Sequence, residues 1–188
     1  MMSKIHIYYS DIVNKEAVLP EPFLSKYNNC GCTSRKNEIV SSYLLLTQIP
    51  GLDLSTLRYD ENGKPFIKDK FISISHDEEM VVLAVSDSNL GVDILSLDKK
   101  YDLVQKQLGI DDKEEFAKTW TVIESFMKYL GLGLKAGYKN IKVDLSNSTL
   151  SYKDKLMEVE FLNKKIGSHY LGVLSNKIDE VILDKIVL

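Results

Sequence analysis

Glu124 and Lys128 stand four residues apart in Trp120-Thr121-Val122-Ile123-Glu124-Ser125-Phe126-Met127-Lys128, and Asp93 interrupts the apolar run Gly91-Val92-Asp93-Ile94-Leu95. Two carboxylates and an ammonium are the groups needed to hold a magnesium ion against a diphosphate, because Mg²⁺ takes one or two carboxylates and fills its remaining positions with phosphate oxygens and water. An acid inside an apolar strand costs free energy unless it is paired or bound to a metal. Each residue also has a plainer reading. A Glu–Lys pair at i,i+4 is common on exposed helices and contributes only ~0.3–0.5 kcal/mol. Asp93 could end its strand and cap a turn. His76 closes the strand-like run Ile72–Ser75 ahead of Asp77-Glu78-Glu79. It reads as a capped structural histidine or, in a phosphate cleft, as a hydrogen-bond donor or an acid/base.

The elements that must position these groups follow from periodicity. With residues stepping by roughly 100° around a helix, Phe116, Trp120, Ile123, Met127 and Leu130 fall on one face of a helix predicted over Lys113–Leu130, which Gly131 and Gly133 stop. Glu124 and Lys128 lie along one edge of that face. Residues 71–75 alternate apolar and polar, 80–85 are nearly all apolar, and 91–95 are apolar around one acid, so three strands are expected. The turn Ser86-Asp87-Ser88-Asn89 predicts an antiparallel hairpin between the last two. Upstream, residues 4–9 suggest a first strand. Residues 20–33 read as a Pro/Asn-rich loop with a short helix, and Thr33 or Ser34 as the cap of a helix to about Gln48, ended by Pro50-Gly51. Asp60-Glu61-Asn62-Gly63 reads as a turn. Downstream, Ile141–Val143 begins a short strand, 156–162 and 170–174 form a closing hairpin, and 181–188 form an edge segment. The layout predicts an α+β protein of two similar halves, 1–88 and 89–188, each a helix packed on an antiparallel sheet.

The bulk composition bounds the rest. The chain has 188 residues, 44% hydrophobic and 27% charged, enough to fold with a substantial core. A net charge of -3 argues against general nucleic-acid binding. No run approaches the ~20 apolar residues of a membrane span, and the first residues have no signal-like apolar core. The expected location is the cytoplasm. Cys30 and Cys32, with three scattered histidines, make a poor zinc set and read as reduced thiols.

With these residues in view, the sequence resembles the 4′-phosphopantetheinyl transferases, in particular the larger pseudo-dimeric type that activates peptide and polyketide synthetases. That family carries Gly-(Ile/Val)-Asp-(Ile/Val)-Glu and then Trp-(Ser/Thr)-x-Lys-Glu-(Ser/Ala)-x-x-Lys. The matching stretches are Gly91–Leu95 and Trp120–Lys128. Gly63-Lys64-Pro65-Phe66 and Ile74-Ser75-His76 resemble its coenzyme A-binding segments, in the right order, so the likeness covers residues 60–135 best. The resemblance implies two α+β halves related by a pseudo-two-fold, with coenzyme A between them. It implies Mg²⁺ on Asp93 and Glu124, catalysis by Glu124, Lys128 and His76, and coenzyme contacts from Lys64, Pro65, Ser75, His76 and Lys128. Arg35 or Lys36 is the candidate for the coenzyme's 3′-phosphate. The implied partner is an apo acyl or peptidyl carrier protein, met by Lys135, Lys139 and Lys142, with the enzyme a monomer. Two positions depart from the pattern. Leu95 replaces a third metal-binding acid, leaving that position to water, and Ile123 replaces a lysine. These departures keep open a non-catalytic relative that binds coenzyme A or a carrier. The two carboxylates alone would also suit a magnesium-dependent phosphohydrolase, though no phosphate-binding glycine loop is present.

Overall fold

The computed structural model describes residues 3–188. Its strands are β1 (Lys4–Asp11), β2 (Arg58–Tyr59), β3 (Pro65–Ile67), β4 (Lys70–His76), β5 (Met80–Ser86), β6 (Leu90–Ser96), β7 (Ile141–Asp144), β8 (Thr149–Tyr152), β9 (Lys155–Leu156), β10 (Glu160–Ile166), β11 (His169–Ser175) and β12 (Glu180–Lys185). The helices are α1 (Phe23–Asn28), α2 (Thr33–Thr47), α3 (Asp102–Leu108) and α4 (Lys113–Leu130). The chain is therefore mixed α+β, as expected. One sheet runs β12-β1-β5-β4-β3-β2, a second β10-β11-β6, and a small third β7-β8-β9. All neighbours are antiparallel except β12, which runs parallel to β1.

The layers follow from which faces are apolar. Val81, Leu83 and Val85 of β5 join Ile39, Val40 and Leu45 of α2 in one core. Met80, Val82 and Ala84 point the other way, onto Leu90, Val92 and Ile94 of β6 and Leu171 and Val173 of β11. The six-stranded sheet is thus sandwiched between α2 and the second sheet. The opposite face of the second sheet, with Leu95, Tyr170 and Leu174, packs on Phe116, Trp120, Ile123 and Met127 of α4. Helix and sheet approach closely because two positions lack side chains. A Cβ at Gly91 would overlap the Ser125 carbonyl, and one at Gly172 would overlap the backbone of Thr121. Alanine at either site forces the layers apart, a change expected to cost about 1–3 kcal/mol or more.

The long helix occupies Lys113–Leu130 as its pattern predicts. Asp112 caps it by accepting from the Glu115 N–H, and Gly131 ends it at φ 69°. Three details differ from expectation. β5 and β6 do not form a hairpin. Both edges of β5 are taken by β1 and β4, so β6 crosses to the second sheet and pairs with β11. A strand buried on both faces reads as a continuous apolar run, which does not distinguish pairing beside from stacking upon. At α2, Thr33 is the first helical residue and Cys32 holds the cap position without a side-chain cap bond. The helix α3 and the strands β2, β3, β8 and β9 are additions to the predicted set. None of the helices among the described residues is long and apolar enough to cross a membrane.

Candidate active site

Asp93 and Glu124 come from the two most intimately packed elements of the second half. On β6 the side chains alternate, so Val92 and Ile94 face the first sheet while Asp93 and Leu95 face α4. Asp93 is buried, and its Oδ1 accepts from the Ser75 hydroxyl at 2.7 Å and the Lys128 ammonium at 2.7 Å. Lys128 also donates to the Val92 carbonyl at 2.9 Å. The ion pair that forms is therefore Lys128–Asp93 across the helix–sheet gap, and not the i,i+4 pair with Glu124. Among the described residues the Glu124 carboxylate has no hydrogen-bond donor. Burial, and then the charge of Asp93, push it up to about 7 despite the opposing pull of Lys128. Two carboxylates held together, one lacking a donor, form a donor set suited to a hard divalent cation. No group of three His, Cys, Asp or Glu side chains converges among the described residues, so phosphate oxygens and water would complete the coordination of any such ion. Leu95 is 3% exposed and belongs to the core, as does Ile123 at 1%.

His76 ends β4 beside the start of α2. Arg35 donates to His76 Nε2 at 2.7 Å and to Glu38 Oε2 at 2.7 Å, and His76 Nδ1 lies 3.2 Å from the same Glu38 oxygen. A ring that accepts at Nε2 carries its proton at Nδ1 and donates it to Glu38. Burial first, then Arg35 and Lys128, push the imidazole down to about 3, so it is neutral at pH 7. A cavity of about 150 Å³ opens here, lined by Lys26, Arg35, Tyr59, Pro65 and His76. A second cavity of about 190 Å³ shares Gly63, Pro65 and Ile74 with the first and continues to Lys128 and Gly131. The sequence-predicted residues Arg35, Pro65, His76 and Lys128 thus line two adjoining cavities. Ser75 reaches them indirectly, through Asp93. Lys64 lines the second cavity with its stem, while its ammonium donates to Asn89 Oδ1 at 2.6 Å and to the Tyr129 carbonyl at 2.8 Å.

Three groups were not selected from sequence. Lys26 lies 4.2 Å over the Tyr59 ring, and its affinity for a proton is lowered by burial and then by Arg35. It sits in a stretch that reads as loop, with no motif spacing to mark it. Tyr101 is the second. Its hydroxyl is made less acidic by burial and then by Asp77, Asp93, Glu78 and Glu124, which places it in the field of the acid pair. Asp77 is the third. It is buried, but its Oδ2 accepts the Ser96 N–H at 2.7 Å, so it serves to join the β4–β5 turn to the end of β6. Of the lysines expected to face a partner, Lys135 donates to Asn62 Oδ1 at 2.8 Å and Lys142 pairs with Asp154 at 2.7 Å. Lys135 follows Leu134, which is 77% exposed.

No family model matches the chain. It is similar to a 4′-phosphopantetheinyl transferase (gsp) of Aneurinibacillus migulanus, with 27% identity over 136 residues, 64% of this chain and 57% of that protein. It is also similar to an L-aminoadipate-semialdehyde dehydrogenase-phosphopantetheinyl transferase of Candida glabrata, with 27% identity over 178 residues, 78% of this chain and 69% of that protein. The chain thus spans less than two thirds of the first relative's length. Together the two similarities support the 4′-phosphopantetheinyl transferase superfamily for this chain.

Proposed function

We propose that this chain transfers the 4′-phosphopantetheine arm of coenzyme A to a serine hydroxyl of an apo carrier protein, releasing adenosine 3′,5′-bisphosphate. The observation that carries the reading is the Asp93–Glu124 pair beside Lys128, which lines the cavity adjoining that of Arg35 and Lys26. The names of both relatives agree with it.

In this reading Asp93 and Glu124 would hold Mg²⁺, which would supply positive charge to the diphosphate and the leaving group. Arg35 and Lys26 meet the anionic adenosine end of the coenzyme, and neutral His76 gives its one N–H to a phosphate oxygen in place of Glu38. Pro65 and the Lys64 stem shape the wall between the two cavities. Lys128, aimed at the same point as Asp93, stabilises the phosphoryl group under attack by fixed charge in a water-poor cleft. The serine Oγ forms a bond to the phosphorus bearing the pantetheine arm, and the bond to the bridging oxygen breaks. The serine proton passes to Glu124, directly or through a water. An N-terminal half 1–88 and a C-terminal half 89–188, related by a pseudo-two-fold, form part of this proposal, as does action as a cytoplasmic monomer. Lys135, Lys139 and Lys142 offer positive charge to the acidic surface of a carrier.

A second reading, binding of coenzyme A or a carrier without transfer, draws on the burial of Leu95 in the core where the family pattern has an acid. Incubation with coenzyme A, Mg²⁺ and a panel of apo carriers separates the two. Transfer adds the pantetheinyl mass to a carrier serine. Calorimetric binding of coenzyme A with every carrier mass unchanged would overturn the transferase reading.

A further inference from the structure

The end of α4 that carries Lys128 is tied down by side chains from two other segments. Lys64, just after the turn between β2 and β3, donates to the Tyr129 carbonyl and to Asn89 Oδ1. Asn89, in the turn entering β6, donates through Nδ2 to the same Tyr129 carbonyl at 3.0 Å. The last carbonyls of a helix have no partner within it, and positive charge is favoured there by the helix dipole. Here one such carbonyl receives an ammonium and an amide at once. The turn is itself held rigid, because Asp60 Oδ1 accepts the N–H groups of Asn62 and Lys64, each at 2.9 Å. It also packs on the helix end. The space beside Gly131 is closed by Asp60 Oδ2 and Lys64 Cδ, and Lys135 reaches back to Asn62.

We propose that Lys64 and Asn89 form a strap that fixes the C-terminal end of α4, and with it Lys128, against the segment that leads into Asp93. The inference rests on the transferase reading for its catalytic consequence, but the strap itself is a property of the protein without ligands. Lys64 is then a positioning residue. Two of the three N–H donors of its ammonium are already engaged within the chain. Asn89 is its partner, and it does not line either cavity.

Asn89 separates positioning from coenzyme contact. Amide hydrogen exchange on the ligand-free protein, for Asn89→Leu and for Lys64→Met, is expected to show at least tenfold faster exchange at Gly131 and Leu132. These N–H groups bond the carbonyls of Lys128 and Met127. In the transfer assay both variants are expected to lower kcat about tenfold or more with little change in KM for coenzyme A, since small misplacements of reacting groups cost rate steeply. Lys64→Arg, which restores a cation with donors, is expected to recover most of both losses. A Lys64→Met variant that raises KM for coenzyme A tenfold, while Asn89→Leu behaves as wild type, would overturn the strap and make Lys64 a coenzyme ligand. Unchanged exchange in both variants overturns it as well. Loss of protection in a protein whose wild type transfers nothing would overturn the transferase reading and leave the strap standing.

Discussion

Beside α2, Arg35, Glu38 and His76 satisfy one another, whereas between β6 and α4 the Lys128–Asp93 pair leaves Glu124 without a donor among the described residues. The first region is a set of groups whose charges are already balanced, with a neutral imidazole and a cavity in front of it. The second holds an excess of negative charge on buried Asp93 and half-buried Glu124. Balanced groups can recognise an incoming anion with little rearrangement. Excess buried charge costs stability unless something positive joins it. In the proposed reading the difference is a division of labour, in which the region at Arg35 binds and the acid pair reacts. Functional sites often carry such local instability, maintained by the packing around them.

The largest expected effect tests the reacting end. Glu124→Gln keeps the shape of the side chain and removes its charge. It is expected to lower kcat for transfer by about 10³-fold while coenzyme A binding falls far less. Equal losses in kcat and in affinity would erase the division between the two ends. Arg35→Met comes next. It removes a charged donor from the cavity and is expected to weaken coenzyme A binding by roughly 10–100-fold with kcat at saturation largely kept, as for loss of a hydrogen bond to a charged group. Calorimetry with coenzyme A and with its form lacking the 3′-phosphate sharpens this, because the second ligand should be nearly indifferent to Arg35.

The two ends should also respond to pH in opposite directions. Glu124 holds its proton up to about pH 7 in the folded chain but only to about 4.5 when unfolded. Its contribution is present below pH 4.5 and is lost as the pH rises through 7. His76 binds a proton near pH 3 when folded and near 6.5 when unfolded. Its contribution is present above pH 6.5 and is lost as the pH falls towards 3. Denaturant unfolding without metal should therefore show Glu124→Gln more stable than wild type at pH 8 by about 2 kcal/mol, with no such gain at pH 4. His76→Gln should flatten the acid limb instead. The same pH profile in both variants would contradict the contrast. The smallest effect lies outside both ends. Lys139→Ala is expected to raise KM for a carrier only about two- to threefold, more at low salt than at high, as for a charge at the rim of an interface.

Much of this site was legible in the chain. The helix over Lys113–Leu130, its glycine stop, and the placement of Glu124 and Lys128 at the edge of a buried face follow from periodicity and capping alone. The acid in β6 was visible because it breaks an apolar run. Lys26 was not legible, because a lysine in a loop-like stretch carries no periodic signal and gains meaning only when Tyr59 and Arg35 fold around it. The expected β5–β6 hairpin gives way to other pairings for a related reason. An apolar run records that a strand is buried on both faces and says nothing about which neighbour it pairs with.

The sequence by itself determined the local elements and the chemical types available to the site: two carboxylates, a lysine one helical turn on, and a histidine at a strand end. Those choices are written in short-range patterns of side-chain size, charge and turn residues. Only the tertiary structure decided which charges meet. Lys128 could have paired with Glu124 on its own helix, but the absence of side chains at Gly91 and Gly172 draws α4 down onto β6 and β11. The ammonium then falls within 2.7 Å of Asp93 and leaves Glu124 bare. Close approach between distant segments, set by two missing Cβ atoms, replaced an ordinary helical ion pair with a buried Asp93 beside a half-buried Glu124.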